Sequence, residues 1–471
     1  MIPYTLEEIS DIVGGRLAGR PSPENPVTDV VIDSRSAGRG SLFAALPGTR
    51  TDGHAYVGTA LAAGAAGALV QHVPEDVTGP VIVVPDVEKA LWTLASSYRK
   101  RFSGSVYGIT GSVGKTTTKE MIAAVLGTRW NVLKTEKNLN NDLGVPLTLF
   151  RLAPEHEAAV VEMGISDFGE MTQLAKMVQP THAVYTVIGT AHLAKLRDRQ
   201  GVLRAKTEML SFLPSDGTVF INGDDALLRG FSYRNRPISY GLGAENDLIA
   251  SDIVYASDAT SCVFRGFGKK FSVRIPAYGK HMVYAALAAA AAGLAAGLSP
   301  EEICTGICRY ESVGRRASVW KAGGITLVDD CYNANPESLR AAIDSLAVLP
   351  CRRRVCILGD MLELGENREA LHYDSGRYAA EQGVQLLLAA GDVSRFTARG
   401  AREAGACVRY YENKEKLIAD LPNCLQEGDA ILVKASHGMA FETISEAIKE
   451  RFAKAPAEEP EQGGSAAEPV P

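Results

Sequence analysis

The run Val106-Tyr107-Gly108-Ile109-Thr110-Gly111-Ser112-Val113-Gly114-Lys115-Thr116-Thr117 decides how the rest of the chain is read. The apolar segment Val106–Ile109 predicts a strand, Thr116–Leu126 predicts a helix, and the small residues between them predict a tight loop. A loop that binds phosphate needs small residues so that consecutive backbone N–H groups can wrap an anion. It needs a following helix whose N-terminus faces the phosphates. It also needs a lysine for the terminal phosphates and a hydroxyl for magnesium. Gly111, Ser112, Val113, Gly114, Lys115, Thr116 and Thr117 supply all of these. The usual pattern is G-x-x-x-x-G-K-[ST]. Here Ile109 stands at the first glycine position, so the loop is a shorter G-x-x-G-K-T form. A plain strand-to-helix turn is the bland alternative, and the predicted context argues against it as much as the letters do.

Downstream of this loop, apolar runs at Ala158–Met163, Ala183–Ile188 and Thr218–Ile221 alternate with helical stretches. That alternation predicts a largely parallel sheet with helices on its faces. Residues 247–276 alternate apolar and polar side chains around turns such as Gly266-Phe267-Gly268, and predict antiparallel hairpins added to the sheet. Upstream lie short strands at Val27–Ile32 and Pro80–Val84, an Ala/Gly-rich helix near Gly58–Ala66, a helix over Val87–Lys100 and a linker at Arg101-Phe102-Ser103-Gly104. Towards the C-terminus, strands at Ile325–Val328, Val355–Leu358, Leu386–Ala389 and Ile431–Val433 alternate with helices, one starting at Pro336. The expected fold is α/β in three domains. These are a small N-terminal α/β domain (1–103), a phosphate-loop parallel-sheet domain with added antiparallel strands (104–313) and a Rossmann-like domain (314–454). A Pro/Glu/Gly/Ala-rich tail, 455–471, is expected to be disordered.

Composition bounds the function. A chain of 471 residues suggests about three domains. Its 46% hydrophobic and 22% charged residues are ordinary for a globular protein. The formal net charge of -6 makes no electrostatic case for nucleic-acid binding, although local loops can still bind small anions. The eight cysteines form no CxxC pair and no zinc spacing, which reads as reduced thiols in a cytosol. The N-terminal MIPYTLEEISDIV carries acids where a signal peptide needs basic residues. The apolar stretch Ala285–Leu298 is too short for a membrane span of ~20 residues and reads as an internal helix.

The motif Thr110–Thr117 resembles that of the Mur ligases, which build the peptide stem of bacterial peptidoglycan. Other segments extend the likeness from about residue 4 to residue 453. Asp33-Ser34-Arg35, Gly40-Ser41-Leu42-Phe43 and Asp52-Gly53-His54 are similar to the family's substrate-binding N-terminal domain. Asn138-Leu139-Asn140-Asn141-Asp142-Leu143-Gly144-Val145-Pro146 is similar to its central substrate loop. Glu162 and His192 stand where the family places magnesium ligands, and Lys206 in Ala205-Lys206-Thr207-Glu208 matches its carbamylated lysine. Two further motifs are the most diagnostic. Asp329-Asp330-Cys331-Tyr332-Asn333-Ala334-Asn335-Pro336 and Gly359-Asp360-Met361-Leu362-Glu363-Leu364-Gly365 resemble the member that adds D-alanyl-D-alanine to UDP-N-acetylmuramoyl-tripeptide. Two places depart from the family pattern. Met282 and Ala285 replace both asparagines of G-x-H-N-x-x-N, and the family's K-G-S-R is Lys434-Ala435-Ser436-His437 here.

The resemblance implies a cytoplasmic bacterial enzyme, a monomer without membrane insertion. It would use ATP, two magnesium ions and a carbamylated Lys206 to form an amide through an acyl phosphate. In that reading Lys115, His192 and Lys206 are catalytic, and Thr116, Glu162, His192 and Lys206 surround the metals. The phosphate loop, Arg315 and Asp330 hold ATP. Ser34, Arg35, His54, Asn138, Asn141, Asn333, Asn335, Lys434 and Ser436 touch the substrates.

Taken singly, several of these residues have plainer readings. Glu162 could be a loop or helix-dipole partner, His192 a hydrogen-bonded structural residue and Lys206 a solvated charge. Asp330 could cap the helix at Pro336, Asn333 and Asn335 could form turns, and Arg315 could make a surface ion pair. The joint order of the phosphate loop, Glu162, His192 and Lys206 favours the catalytic set. The rival functions are another amide ligase of the superfamily (diaminopimelate-adding, lysine-adding or folylpolyglutamate type) or a phosphate-loop switch protein. The D-N-P-R motif of the diaminopimelate adder is missing. A switch would need neither an N-terminal substrate domain nor a carbamylated lysine.

Overall fold

The computed structural model describes residues 1–48, 51–75, 77–256, 259–312, 314 and 318–453. The expected tail, 455–471, lies outside them. The chain builds three sheets and divides into two compact units, Met1–Val313 and Gly314–Pro471.

The first sheet is built from β1 (Arg16–Ala18), β2 (Asp29–Val31), β3 (Ser41–Ala44), β4 (Gly67–Val70) and β5 (Val81–Val83), in the order β1-β5-β4-β3-β2. β2 to β5 are parallel, and β1 closes one edge antiparallel to β5. β3 and β4 were not legible in the sequence. They are short and buried on both faces, so they show no alternation. The Ala/Gly-rich helix is shorter than expected, Val57–Ala62, because the chain turns at Gly64 to enter β4.

The second sheet has nine strands: β6 (Ser105–Thr110), β7 (Val132–Lys134), β8 (Ala158–Glu162), β9 (His182–Tyr185), β10 (Thr218–Asn222), β11 (Ile238–Gly241), β12 (Leu248–Tyr255), β13 (Thr260–Gly266) and β14 (Lys269–Ile275). Their order is β14-β13-β12-β11-β10-β9-β6-β8-β7. From β7 to β12 neighbouring strands run parallel, and β13 and β14 are antiparallel additions. The expected hairpin region therefore begins with one strand, β12, that still belongs to the parallel sheet. The chain leaves β6 for β7 and β8 on one side and returns to β9 on the other. This makes the carboxyl end of β6 a topological switch point, where open α/β sheets bind ligands.

The Val87–Arg99 helix explains why the first two sheets share one compact unit. Asp86 caps its start by accepting from the Lys89 N–H at 3.0 Å. Its apolar side buries Val87, Leu91, Leu94 and Tyr98 in a core shared with Leu149, Phe150, Leu174 and Val178 of the second sheet's helices. At its end Arg99 is buried and donates to the carbonyls of Val178 at 2.8 Å, Gln179 at 2.9 Å and Phe102 at 2.7 Å. Burial holds its guanidinium down to about 10. On the opposite face of the second sheet, the Lys280–Ala295 helix packs its alanines against the Lys115–Leu126 helix.

His182, at the start of β9, is stacked on Tyr107 at 4.3 Å. Burial pushes its imidazole down to about 4, against the weaker pull of Asp216. An unfolded histidine titrates near ~6.5, so below that pH the unfolded chain takes a proton that the folded chain refuses. Stability is therefore fully present above pH ~6.5 and falls toward pH 4, by at most roughly 3 kcal/mol from this residue. His182→Phe keeps the stack. It is expected to flatten the fall in melting temperature between pH 7 and pH 5. An unchanged slope in the variant would show that the acid sensitivity lies elsewhere.

The third sheet contains β15 (Ser318–Ala322), β16 (Ile325–Asp329), β17 (Arg353–Gly359), β18 (Leu386–Ala390), β19 (Cys407–Tyr411) and β20 (Asp429–Lys434), ordered β15-β16-β20-β17-β18-β19. All neighbours are parallel except β15 and β16. The last strand, β20, is inserted between β16 and β17, giving a second switch point. Among the described residues no helix is long and apolar enough to cross a membrane.

Candidate functional site

β6 ends at Thr110, and the chain passes through Gly111–Gly114 into the Lys115–Leu126 helix. Gly111 is required by contact as well as conformation. Its φ is +154°, and a Cβ there would sit 1.8 Å from Thr186 Oγ1. Gly114, at φ +81°, opens the helix. The segment after β9 is laced to this loop. Ser112 N–H donates to the Val187 carbonyl at 2.8 Å, and Thr186 Oγ1 donates to the Val113 carbonyl at 2.6 Å. Gly189 N–H donates to Ser112 Oγ at 2.8 Å. Lys115 Nζ folds back to the Gly111 carbonyl at 2.9 Å.

Beside the loop, Glu162 ends β8 and is 1% exposed. Its carboxylate is held at both oxygens. Thr116 Oγ1 donates to Oε2 at 2.9 Å and Asn140 Nδ2 donates to Oε1 at 2.8 Å. Thr116 and Glu162 are hard oxygen donors from a helix start and a strand end, which suits magnesium, an ion that takes one or two carboxylates and completes its shell with water and phosphate oxygens. No cluster of three or more His, Cys, Asp or Glu side chains among the described residues is arranged to hold a metal. A magnesium ion here would draw on the Thr116 hydroxyl, the Glu162 carboxylate and phosphate oxygens, as in other nucleotide sites.

Asn140 was not among the residues the sequence singled out; its neighbours Asn138 and Asn141 were. Asn141 Oδ1 accepts from Gly144 N–H at 2.9 Å and so starts the Gly144–Phe150 helix, while the Asn138 carbonyl accepts from Asn140 N–H at 2.8 Å. Nothing in the letters separates three asparagines in four positions. Only the loop's path aims one of them at Glu162.

His192 follows β9 and caps the short Leu193–Leu196 helix in a left-handed conformation, φ +58°. β9 ends at Tyr185 rather than Ile188, so His192 stands on a loop beyond the strand. Lys206 lies in the last turn of the Arg199–Thr207 helix and is only 2% exposed, which excludes the solvated-charge reading. Burial, reinforced by the Lys115 ammonium, holds its amine well below the usual lysine value, with Glu170 pulling weakly the other way.

In the N-terminal sheet Asp33 caps the Ser34–Ser36 turn and pairs with Arg35 at 2.6 Å; the Arg35 side chain is 88% exposed. The hydrogen bonds from Arg35 hold the Asp33 carboxyl down to about 2. His54 is buried, with Nδ1 against Asp52 Oδ1 at 2.6 Å and Nε2 accepting from Gln71 N–H at 2.8 Å. Both of its ring nitrogens are thus engaged within the fold.

The C-terminal unit forms a separate cluster at its own switch point. Lys434, at the end of β20, donates to Asp330 Oδ2 at 2.5 Å and to the Asn333 carbonyl at 2.9 Å. Asn335, not Asp330, caps the Pro336–Ala347 helix, accepting from Ser338 N–H at 2.8 Å. Asn333 Oδ1 accepts from Ala334 N–H at 2.9 Å. Ser436 Oγ accepts from Leu362 N–H at 2.9 Å and donates to the Ala334 carbonyl at 3.4 Å, and so joins the two diagnostic motifs. His372 accepts from Met361 N–H at 2.9 Å and supports the second motif from behind. Arg315 lies outside the described residues. Met282 and Ala285 are buried in the first turns of the Lys280–Ala295 helix.

A phosphate-loop motif at one switch point, an oxygen pair suited to magnesium and a second doubly wound unit together point to a nucleotide-dependent enzyme of several domains. The chain matches the Mur ligase middle domain over residues 109–293, the Mur ligase glutamate ligase domain over 314–437 and the Mur ligase family catalytic domain over 26–99. It is 37% identical over 452 residues to the UDP-N-acetylmuramoyl-tripeptide–D-alanyl-D-alanine ligase of Bacillus subtilis, covering 94% of this chain and 98% of that one. Its fold superposes on MurF from Acinetobacter baumannii with a TM-score of 0.88 at 32% identity, covering 95% and 99% of the two chains. On MurF from Thermotoga maritima, solved with ADP, the TM-score is 0.81 at 26% identity, covering 90% and 98%. The chain belongs to the Mur ligase family, and it is an ATP-dependent ligase that forms a carbon–nitrogen bond. The three-domain α/β expectation is borne out at the level of fold class.

Proposed function

We propose that this enzyme joins D-alanyl-D-alanine to UDP-N-acetylmuramoyl-tripeptide in the bacterial cytoplasm, as a monomer, to make the pentapeptide precursor of peptidoglycan. The observation that carries this reading is the extent of the likeness to the Bacillus subtilis ligase, 37% identity over 452 residues that cover 94% of this chain and 98% of that one. The eight cysteines are thiols rather than disulfides, which suits a reducing compartment.

In the proposed reaction the tripeptide's terminal carboxylate attacks the γ-phosphorus of ATP, and ADP leaves. The dipeptide amine then attacks the acyl carbon, loses a proton and expels inorganic phosphate. Two anions must be brought together, held in line and partly neutralised. Lys115 and the N–H groups from Gly111 to Thr117 hold the β- and γ-phosphates. Thr116 and Glu162 would hold magnesium, which when bound supplies positive charge against the phosphoryl oxygens. His192 and a carbamylated Lys206 would serve a second magnesium. Asn138 and Asn141 frame the substrate loop that Asn140 pins to Glu162.

Residues 1–103 bind the UDP-sugar peptide, with Ser34 and the exposed Arg35 in contact and His54 positioning the 52–54 turn. Residues 104–313 bind ATP. Residues 314–454 carry Asp330 and Arg315 for the nucleotide and Asn333, Asn335, Lys434 and Ser436 for the dipeptide.

The test is phosphate release over a grid of UDP-sugar peptides and amino acceptors. Release is expected only when ATP, a UDP-tripeptide and D-alanyl-D-alanine are present together, and the grid also identifies the tripeptide's third residue. Turnover with a UDP-dipeptide and free diaminopimelate or lysine would instead identify one of the other amide ligases. Release without any acceptor would point to a switch protein.

A further inference from the structure

A lysine with no exposed surface is rare, because a buried charge costs several kcal/mol unless it is well paired. Lys119 is such a residue, 0% exposed, and the chemistry above does not use it. It lies on the phosphate-loop helix, one turn after Lys115 and three residues after Thr116, so the three side chains share a helix face. Lys119 Nζ donates to the Thr135 carbonyl at 2.6 Å and pairs with Glu120 Oε1 at 2.8 Å. The second oxygen of Glu120 is taken by Lys134, so the carboxylate is balanced on both sides.

Thr135 is itself fully buried, and it is the first residue of the loop that follows β7. Its hydroxyl accepts the backbone N–H of Glu162 at 3.0 Å, and its own N–H donates to the Val160 carbonyl at 3.1 Å. The far end of the same loop returns to Glu162 through Asn140, whose carbonyl also accepts from Gly164 N–H at 2.8 Å. Glu162 is thus held at three points: Oε2 by Thr116, Oε1 by Asn140 and the backbone by Thr135. Thr116 and Lys119 come from one rigid helix, so Lys119 sets where Thr135 stands relative to Thr116.

We propose that Lys119 is a positioning residue which, through Thr135, sets the register between the phosphate loop and the Glu162 carboxylate. The inference rests on the proposed role of Glu162 at the magnesium site. An apolar side chain could fill the same space, and buried ion pairs are often no better for stability than such a replacement. The buried ammonium supplies a directed hydrogen bond to the Thr135 carbonyl that no alkyl chain can make.

The test uses the full-length enzyme and four variants. Lys119→Met keeps the length and removes the charge. Thr135→Val keeps the shape and removes the acceptor hydroxyl, and Thr135→Ser restores it. Glu162→Gln is the control. Misplacing a reacting group by about 1 Å can cost about 100-fold in rate. Lys119→Met is therefore expected to lower kcat by about 10- to 100-fold and to raise the half-saturating magnesium concentration several-fold. Binding of a fluorescent ADP analogue without magnesium should stay within about twofold of native. Thr135→Val should show the same pattern more weakly, and Thr135→Ser should recover most of the loss. The double variant Lys119→Met/Thr135→Val should be no worse than the poorer single one, because both act through one chain of contacts.

Folded Lys119→Met and Thr135→Val enzymes with native kcat and magnesium dependence, alongside an inactive Glu162→Gln, would overturn the role of Lys119 and leave that of Glu162 standing. An active Glu162→Gln would instead overturn the reading on which the inference rests. If Lys119→Met does not fold, the contrast between Thr135→Val and Thr135→Ser decides: equal activity in the two overturns the proposal.

Discussion

Lys115→Ala is expected to lower turnover by at least about 1000-fold, a loss of about 4 kcal/mol of transition-state stabilisation. The UDP-sugar peptide should bind as tightly as before, because the proposed site for that ligand is in residues 1–103. Lys115 is the first residue of a helix whose N-terminal N–H groups face the loop, and its ammonium already curls over the Gly111 carbonyl. In the proposed mechanism that ammonium would neutralise negative charge on the β- and γ-phosphates. The same substitution has a second consequence. The Lys115 charge, after burial, is one of the influences that lower the Lys206 pKa, so its removal should raise that pKa toward the ordinary value. The measurements are phosphate release and, separately, calorimetric binding of the UDP-sugar peptide. Near-native phosphate release would remove Lys115 from the mechanism, and a lost UDP-ligand would show that the substitution had damaged more than the phosphate site.

The other large effect is expected at Lys206. In the proposed arrangement a buried Lys206 ammonium would repel Lys115 and the second magnesium, whereas a carbamate would present an anionic oxygen to the metal. Only a neutral amine adds CO₂. Burial and the neighbouring Lys115 favour that condition by lowering the amine's pKa well below the normal lysine value. The direction of the shift fixes the pH dependence. The neutral fraction grows as pH rises through the lowered pKa, so carbamylation and activity should both fall on acidification through it. Lys206→Ala should be nearly inactive and partly rescued by short-chain carboxylates that occupy the vacated space. Stripping CO₂ and bicarbonate should slow the native enzyme, and adding them back should restore it. If Lys206→Ala keeps more than about a tenth of native activity, a loss below ~1.4 kcal/mol, the carbamate assignment fails. Rescue by chloride as effective as that by carboxylates would also count against it, since it would indicate a need for negative charge alone.

The two positions illustrate different kinds of legibility. Lys115 was readable from its neighbours. Glycines at 111 and 114 and a strand and helix on either side are local demands of phosphate binding, and they are met within a dozen residues. Lys206 was singled out only by the family resemblance and its order after the loop, Glu162 and His192. On its own helix it looks like any solvated lysine. What makes it special is burial and the field of a residue 91 positions earlier, and neither is a local property.

By itself, the sequence determined the α/β class, the phosphate loop and the presence of two doubly wound sheets. Each of these follows from short-range patterns, namely apolar runs, helical periodicity and residues small enough for a loop. The tertiary structure alone decided the short strands β3, β4, β7 and β11, which are held by pairing with neighbouring strands rather than by their own propensity. It alone chose Asn140 over Asn138 and Asn141, and Asn335 over Asp330 as the helix cap. It alone drew the Val87–Arg99 helix into a core shared by the first two sheets, where the sequence had suggested a simple linker at residue 101. Buried polar groups such as Lys119, Thr135 and Glu162 belong to the same class. A polar side chain leaves water only where partners from other parts of the chain complete its hydrogen bonds, and those partners exist only once the sheets have assembled.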